Sequence, residues 1–178
     1  YFVFAGALHP RKNVVNLLKA FIRFKKKTRS NMKLVVVGRY GWNYEELIAM
    51  REDMPFKEDV KWVGYMNVDE LSKVMGGAYA LAYPSLFEGF GIPILEALEC
   101  GVPGIVSNTS SMPEVAGDAG LLVDPTDVED IALKMEQLYK DETLRAKLIA
   151  NAKEQVKKFS WDKSAAQLWD AVLKCVGK

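Results

Sequence analysis

The segment Ser85-Leu86-Phe87-Glu88-Gly89-Phe90-Gly91-Ile92-Pro93-Ile94-Leu95-Glu96 joins a strand-like run to a helix-like run through a glycine-rich turn, and it carries two carboxylates. Glycine lets backbone N–H groups come close to a ligand, and a helix N-terminus favours an anionic or oxygen-rich group. Glu88 precedes the glycines and Glu96 lies one turn into the helix. Carboxylates so placed can accept bidentate hydrogen bonds from vicinal hydroxyls, as an acidic residue does for ribose in dinucleotide sites. An ordinary strand-to-helix turn with Glu96 on a solvated face has the same spacing. The second set is Gly6-Ala7-Leu8-His9-Pro10-Arg11-Lys12-Asn13, where a strand ends at Gly6 and two cations arrive as a helix begins. Arg11 supplies a planar fork and Lys12 a point charge, a pairing suited to a diphosphate. Solvated charge is the alternative, although cations at a helix start oppose its dipole. No GxxxxGK[ST] and no GxGxxG followed by an acid is present, so neither standard phosphate loop applies.

The other reactive side chains are few. His9 is the single histidine and has no acid or nucleophile beside it in sequence, which suits a supporting role in a loop. Cys100 and Cys175 are far apart and show no CxxC or Cys/His spacing, so no zinc site is expected. Cys100 reads as a small buried hydrophobe closing its helix. No Asp-x-Asp occurs, so the usual carboxylate pair for a metal-bridged nucleotide diphosphate is missing. No metal ligand and no resident cofactor is predicted.

The elements that must hold these residues alternate almost regularly. Strands are expected at 1–5, 32–37, 60–63, 78–83, 104–107 and 120–123, and helices at 13–27, 44–51, 69–75, 94–100, 113–116, 128–139, 142–159 and 162–176. Strands apolar on both faces, alternating with helices, argue an α/β fold with a parallel sheet of about six strands, doubly wound and Rossmann-like. Ligands in such folds sit outside the carboxyl ends of the strands, at the switch point. The candidate loops are therefore 6–13, 38–42, 64–66, 84–93 and 107–111. The 178 residues, 49% apolar and 26% charged, suit one domain spanning 1–178 with a real core.

The net charge of +1 hides a split: residues 1–44 carry ten basic and no acidic side chains, leaving fourteen basic against 23 acidic residues beyond. Lys25, Lys26, Lys27 and Arg29 crowd the end of the first long helix, where cations suit the dipole. A solvated helix end is the favoured reading. Peripheral contact with anionic lipid head groups is the sharper one. Nucleic acid fits poorly, because no aromatic-interleaved basic groove accompanies the patch. No apolar run reaches the roughly 18 residues of a membrane span, and no signal peptide opens the chain. The chain starts at Tyr1 inside an apolar run, which reads as an excised piece of something longer.

Taken together, Gly6…Pro10-Arg11-Lys12-Asn13, Val37-Gly38-Arg39…Gly41-Trp42, Glu88-Gly89-Phe90-Gly91-Ile92-Pro93…Glu96-Ala97…Cys100-Gly101-Val102-Pro103, Ser107-Asn108…Ser111-Met112-Pro113-Glu114-Val115-Ala116-Gly117-Asp118-Ala119, Asp124-Pro125 and Phe159-Ser160-Trp161 resemble the C-terminal half of family 4, or group 1, glycosyltransferases. The similarity runs in order along essentially the whole chain and is nearest to bacterial mannosyltransferase-like members. It implies the donor-binding half of a retaining, metal-independent GT-B enzyme, cytoplasmic or peripheral at the inner face of the plasma membrane. Such an enzyme transfers a mannose-like or glucose-like group from a GDP- or UDP-hexose to a glycan or lipid-linked acceptor in polysaccharide or lipopolysaccharide synthesis.

By that resemblance, Arg11 and Lys12 neutralise the donor diphosphate near Gly6, and Glu96 binds the ribose hydroxyls. Glu88 contacts the donor sugar. The backbone of Gly89, Phe90, Gly91 and Ile92 meets sugar or phosphate, and the loop at Gly64 lies beside the base. Arg11, Lys12 and Glu88 are the expected catalytic residues. Some relatives carry Arg or Ser where Ala7 stands, so the phosphate-binding set departs from the family there. The acceptor would be held by an N-terminal half outside this chain. The final helix would pack on that half, leaving apolar residues among Trp161, Leu168, Trp169 and Val172 under-buried. Two alternatives stand beside this: a non-hydrolysing nucleotide-sugar epimerase, whose acid and histidine set is not found here, and an inactive relative kept as a nucleotide-sugar or membrane-surface binding module.

Overall fold

The computed structural model describes residues 1–177. Six strands, β1 (Phe2–Ala5), β2 (Leu34–Val37), β3 (Val60–Gly64), β4 (Ala80–Tyr83), β5 (Gly104–Ser107) and β6 (Gly120–Val123), form one sheet in the order β3-β2-β1-β4-β5-β6. Every pairing is parallel. The helices are α1 (Val14–Thr28), α2 (Glu45–Asp53), α3 (Val68–Gly76), α4 (Ile92–Glu99), α5 (Met112–Ala116), α6 (Val128–Lys140), α7 (Glu142–Val156) and α8 (Trp161–Cys175). The chain winds outward from β1 to β3, then crosses back to β4 and winds the other way. The switch point thus lies between β1 and β4, and the loops that leave it are 6–13 and 84–91.

The sheet centre is set by composition. Phe-Val-Phe-Ala in β1 and Ala-Leu-Ala-Tyr in β4 are buried at every position, which suits strands covered on both faces. In the outer strand β3 only Val60 is fully buried. Helix α4 begins two residues earlier than its periodicity predicts. Gly91 takes φ +95° as N-cap and Pro93 sits in the first turn, where its missing N–H costs nothing. Helix α7 stops at Val156, short of the expected 159. Along α8 the side chains of Trp161, Leu168, Trp169 and Val172 are 85%, 68%, 62% and 41% exposed, so this amphipathic helix has a polar side and an uncovered apolar one.

The charge split acquires a structural reason. Because β1 is central, α1 lies between later elements, and the early cations meet acids from α2, the turn before β3 and α6. Ion pairs join Lys19 to Glu46, Arg23 to Glu129, Lys25 and Lys33 to Asp59, and Lys27 to Glu136. The expected solvated helix end is corrected at Lys25, which is buried. Its ammonium pairs with Asp59 at 2.8 Å and donates to the carbonyls of Ser30 and Met32. A helix end turned back on the β2–β3 side of the sheet consumes that charge, leaving Lys26 and Arg29 exposed.

Hydrogen bonds from Lys25 and Lys33 hold the Asp59 carboxyl below its usual range, outweighing its desolvation. A depressed folded-state pKa contributes stability that is present above the unfolded value and lost as pH falls through the folded one. Melting temperature is therefore expected to drop on acidification below the usual carboxylate range. Asp59→Ala should cost about 3 kcal/mol at neutral pH by leaving Lys25 buried without its partner, and thermal melts from pH 7 to 3 check both.

Candidate functional site

The carboxyl ends of β1, β2 and β3 finish in glycines, and the ladder continues over them: Gly6 N–H donates to Val37 at 3.0 Å and Gly38 N–H to Gly64 at 2.8 Å. After Gly6 the chain touches the second loop through Leu8 and Gly41. His9 stacks on Trp42 with centroids 4.2 Å apart and rings within 9° of parallel. Burial, then the charges of Arg11 and Lys12, push the His9 pKa down, so it is neutral at pH 7 and supports the loop.

A one-turn 3-10 segment, Pro10–Lys12, aims the two cations across the switch point. Asn13 ends it at φ +59°, a conformation Asn tolerates better than most residues. The Asn13 side-chain amide donates to the carbonyls of Pro84 at 2.9 Å and Pro125 at 2.6 Å, tying the first loop to the ends of β4 and β6. Asn13→Ala removes both buried bonds and places Ala in the left-handed region. The expected loss is about 3 kcal/mol, read by urea unfolding.

Across the gap, Glu88 is buried and fully engaged. Its Oε1 accepts from the Lys12 ammonium at 2.7 Å and the Tyr83 hydroxyl at 3.0 Å, and its Oε2 accepts from Arg11 at 3.0 Å. Arg11 also donates to the Phe87 carbonyl at 2.6 Å. Lys12 is buried too, with its ammonium 3.6 Å from where a Cβ on Gly6 would stand and in contact with the Tyr83 hydroxyl. Burial pushes the Glu88 pKa up, but the hydrogen bond and charge of Lys12, with a smaller contribution from the Tyr83 hydroxyl, pull it further down, so the carboxylate is ionised. The Glu88 N–H donates to Ser110 Oγ at 3.1 Å, and the Ser111 hydroxyl bonds the carbonyls of Glu88 and Phe90. Those serines, from the loop after β5, fix the glycine-rich turn from below.

The structure thus gathers Gly6, Arg11, Lys12 and Glu88 into one cluster, with Gly89, Phe90, Gly91 and Ile92 leading from it into α4. Gly64 stands apart, exposed at the end of the outer strand β3, where Arg39 lies over the Tyr65 ring at 4.0 Å. Glu96 is half-buried, and burial, with the nearby charge of Glu99, pushes its carboxyl pKa up. Among the described residues nothing hydrogen-bonds its carboxylate, and no group of three or more His, Cys, Asp or Glu side chains gathers into a possible metal site. Sequence reasoning missed Tyr83 and the specific tasks of Asn13, Ser110 and Ser111. The signal for Tyr83 was its hydroxyl at the end of an otherwise small, apolar strand.

An open parallel sheet with Arg11, Lys12 and Glu88 beside its switch point has the layout of the doubly wound α/β domains, in which ligands sit at that crevice. Residues 1–155 match the family model for glycosyl transferases group 1, and the chain belongs to that family. It is 37% identical over 171 residues to the O-antigen chain mannosyltransferase B of Escherichia coli, covering 96% of this chain and 45% of that protein. Against the O-antigen chain mannosyltransferase RfbU of Salmonella typhimurium it is 35% identical over 130 residues, covering 71% of this chain and 35% of the relative. The chain spans less than half the length of these curated relatives. Its fold is similar to that of Anabaena HepE, solved in complex with UDP, with a TM-score of 0.84 at 20% identity over 98% of this chain and 49% of that one. WaaG, a glycosyltransferase involved in lipopolysaccharide biosynthesis, gives a TM-score of 0.77 at 23% identity over 89% of this chain and 43% of that one.

Proposed function

We propose that this chain is the donor-binding half of a retaining, metal-independent GT-B glycosyltransferase. The full-length enzyme transfers a mannose-like or glucose-like group from a nucleoside-diphosphate hexose to a glycan or lipid-linked acceptor. The observation that carries the reading is the Arg11–Lys12–Glu88 cluster at the switch point of a group 1 family domain. Two cations against one carboxylate leave a net positive charge, and a diphosphate is the anion that completes it. In the transition state the leaving diphosphate gains negative charge, which cations already fixed in place stabilise without reorganisation. Relatives named as O-antigen chain mannosyltransferases support a mannose-like donor, and a neighbour solved with UDP supports the diphosphate.

The remaining roles follow this reading. Glu96, half-buried and without a hydrogen-bond partner among the described residues, takes the ribose hydroxyls. The N–H groups at Phe90, Gly91 and Ile92 meet the sugar or phosphate, and the base lies by Gly64. The uncovered side of α8 packs on an N-terminal half that also holds the acceptor, and the enzyme is cytoplasmic or peripheral at the inner face of the plasma membrane. Arg11→Ala in the full-length protein is the test: transfer should fall at least 100-fold with folding unchanged. Retained activity would favour a binding module that does not transfer sugar.

The raised Glu96 pKa gives a further expectation. Only the ionised carboxylate accepts from both ribose hydroxyls, so donor affinity is present above that pKa and lost as pH falls through it. The loss should begin at a higher pH than for an ordinary glutamate, and Glu96→Gln should flatten the dependence in a titration by calorimetry.

A further inference from the structure

The Tyr83 phenol sits where Lys12 and Glu88 meet, and the function proposed above does not use it. Tyr83 is the last residue of β4 and has no exposed surface. Its ring stacks on Phe4 of the neighbouring strand, with centroids 5.8 Å apart and planes 25° from parallel, so the hydroxyl is held by two central strands. That hydroxyl donates to Glu88 Oε1 at 3.0 Å and accepts from the Lys12 ammonium, which itself donates to the same oxygen at 2.7 Å. The three groups close a hydrogen-bonded triangle inside the protein.

We propose that Tyr83 is a positioning residue, whose hydroxyl holds the Lys12 ammonium and Glu88 Oε1 in one fixed arrangement and leaves the third ammonium N–H for the donor diphosphate. This rests on the donor-binding reading. The physical case lies in what each partner lacks. Lysine is a point charge on a flexible four-carbon stem with three equivalent donors, so a single carboxylate oxygen fixes its distance but not its direction. A second acceptor on a rigid ring fixes the direction. Glu88 gains as well: a buried carboxylate stays ionised only while enough donors face it, and Tyr83 supplies one that cannot swing away. Fixed charge is worth most where negative charge develops, so the effect belongs chiefly to kcat.

Tyr83→Phe keeps the ring and its stacking and removes only the hydroxyl. In the full-length protein, with whichever UDP-, GDP- or ADP-hexose it turns over, kcat is expected to fall about 10- to 100-fold, with donor KM changing less than threefold. With one fewer donor to Glu88, the acid limb of kcat/KM should move to higher pH. The acid limb of thermal stability should move the same way, because a carboxylate less depressed in the fold loses its contribution sooner as pH falls. In a Glu88→Gln background Tyr83→Phe should leave the acid limb of stability where it is. An unmoved kcat and acid limb in Tyr83→Phe, beside an active wild type, overturns this proposal alone and reduces Tyr83 to core packing. A wild-type protein that neither binds nor turns over any of these donors overturns the donor reading and the proposal together.

Discussion

Lys12→Ala in the full-length protein is expected to lower the transfer rate by about a thousandfold or more. Removing a single neutral oxyanion donor costs roughly 100- to 1,000-fold in well-studied sites, and here a full charge is lost from a buried position. The substitution also strips Glu88 of its nearer cation, leaving a buried carboxylate that Arg11 and Tyr83 only partly compensate. Breaking a buried pair from one side typically costs about 3–5 kcal/mol, so part of the activity loss could be lost protein. The double variant Lys12→Ala with Glu88→Gln separates the two effects, since it removes the stranded charge. Stability should largely return while transfer stays absent. Because Glu88 is itself an expected catalytic residue, Glu88→Gln alone is the reference for transfer, and a double variant as active as that reference would show that Lys12 serves only to neutralise Glu88.

The second large effect is on folding. Gly38 follows β2 at φ +150°, and a Cβ built there would lie 1.9 Å from the carbonyl oxygen of Gly6. That neighbour is backbone, held by the ladder between the first two strands, so it cannot move aside as a flexible side chain would. Gly38→Ala therefore requires the ends of β1 and β2 to separate at the place where the site begins. The expected loss is at least about 4 kcal/mol, or a melting point lower by roughly 10 °C or more for a chain of this size. Gly76→Ala is the matching control. Nothing lies within 4 Å of its added methyl and the residue is helical, so stability should hold or rise slightly.

These two glycines show how far the sequence could be read. Strand positions were legible because each is a short, largely apolar run closed by Gly, Pro, Ser or Asp-Pro, and a parallel sheet is the arrangement that buries both faces. The loops at the strand ends were legible for the same reason, and they include both halves of the cluster. What one-dimensional spacing could not show was partnership. Arg11 and Glu88 are 77 residues apart, and only the crossing from β3 to β4 sets their loops side by side. The same limit applied to the charge split. Seven of the ten early cations pair with acids from Glu46 to Glu136, because β1 and the elements flanking it sit at the centre of the sheet among later ones. Lys25 looked like solvated helix-end charge since its partner, Asp59, arrives through a turn that carries no periodic signal. Tyr83 escaped notice because a tyrosine ending a buried strand reads as one more apolar residue until its hydroxyl is seen to face an ion pair.

Diphosphate binding by Arg11 and Lys12 at the switch point is the central claim. Titration of the 178-residue chain with GDP, UDP and ADP, each against its nucleoside and monophosphate, tests that claim most directly. The predicted result is saturable binding of at least one diphosphate that weakens about tenfold or more for the matching monophosphate and with Arg11→Ala. Added salt should weaken it further. Affinity that is the same for nucleoside and diphosphate, or untouched by Arg11→Ala, would contradict it.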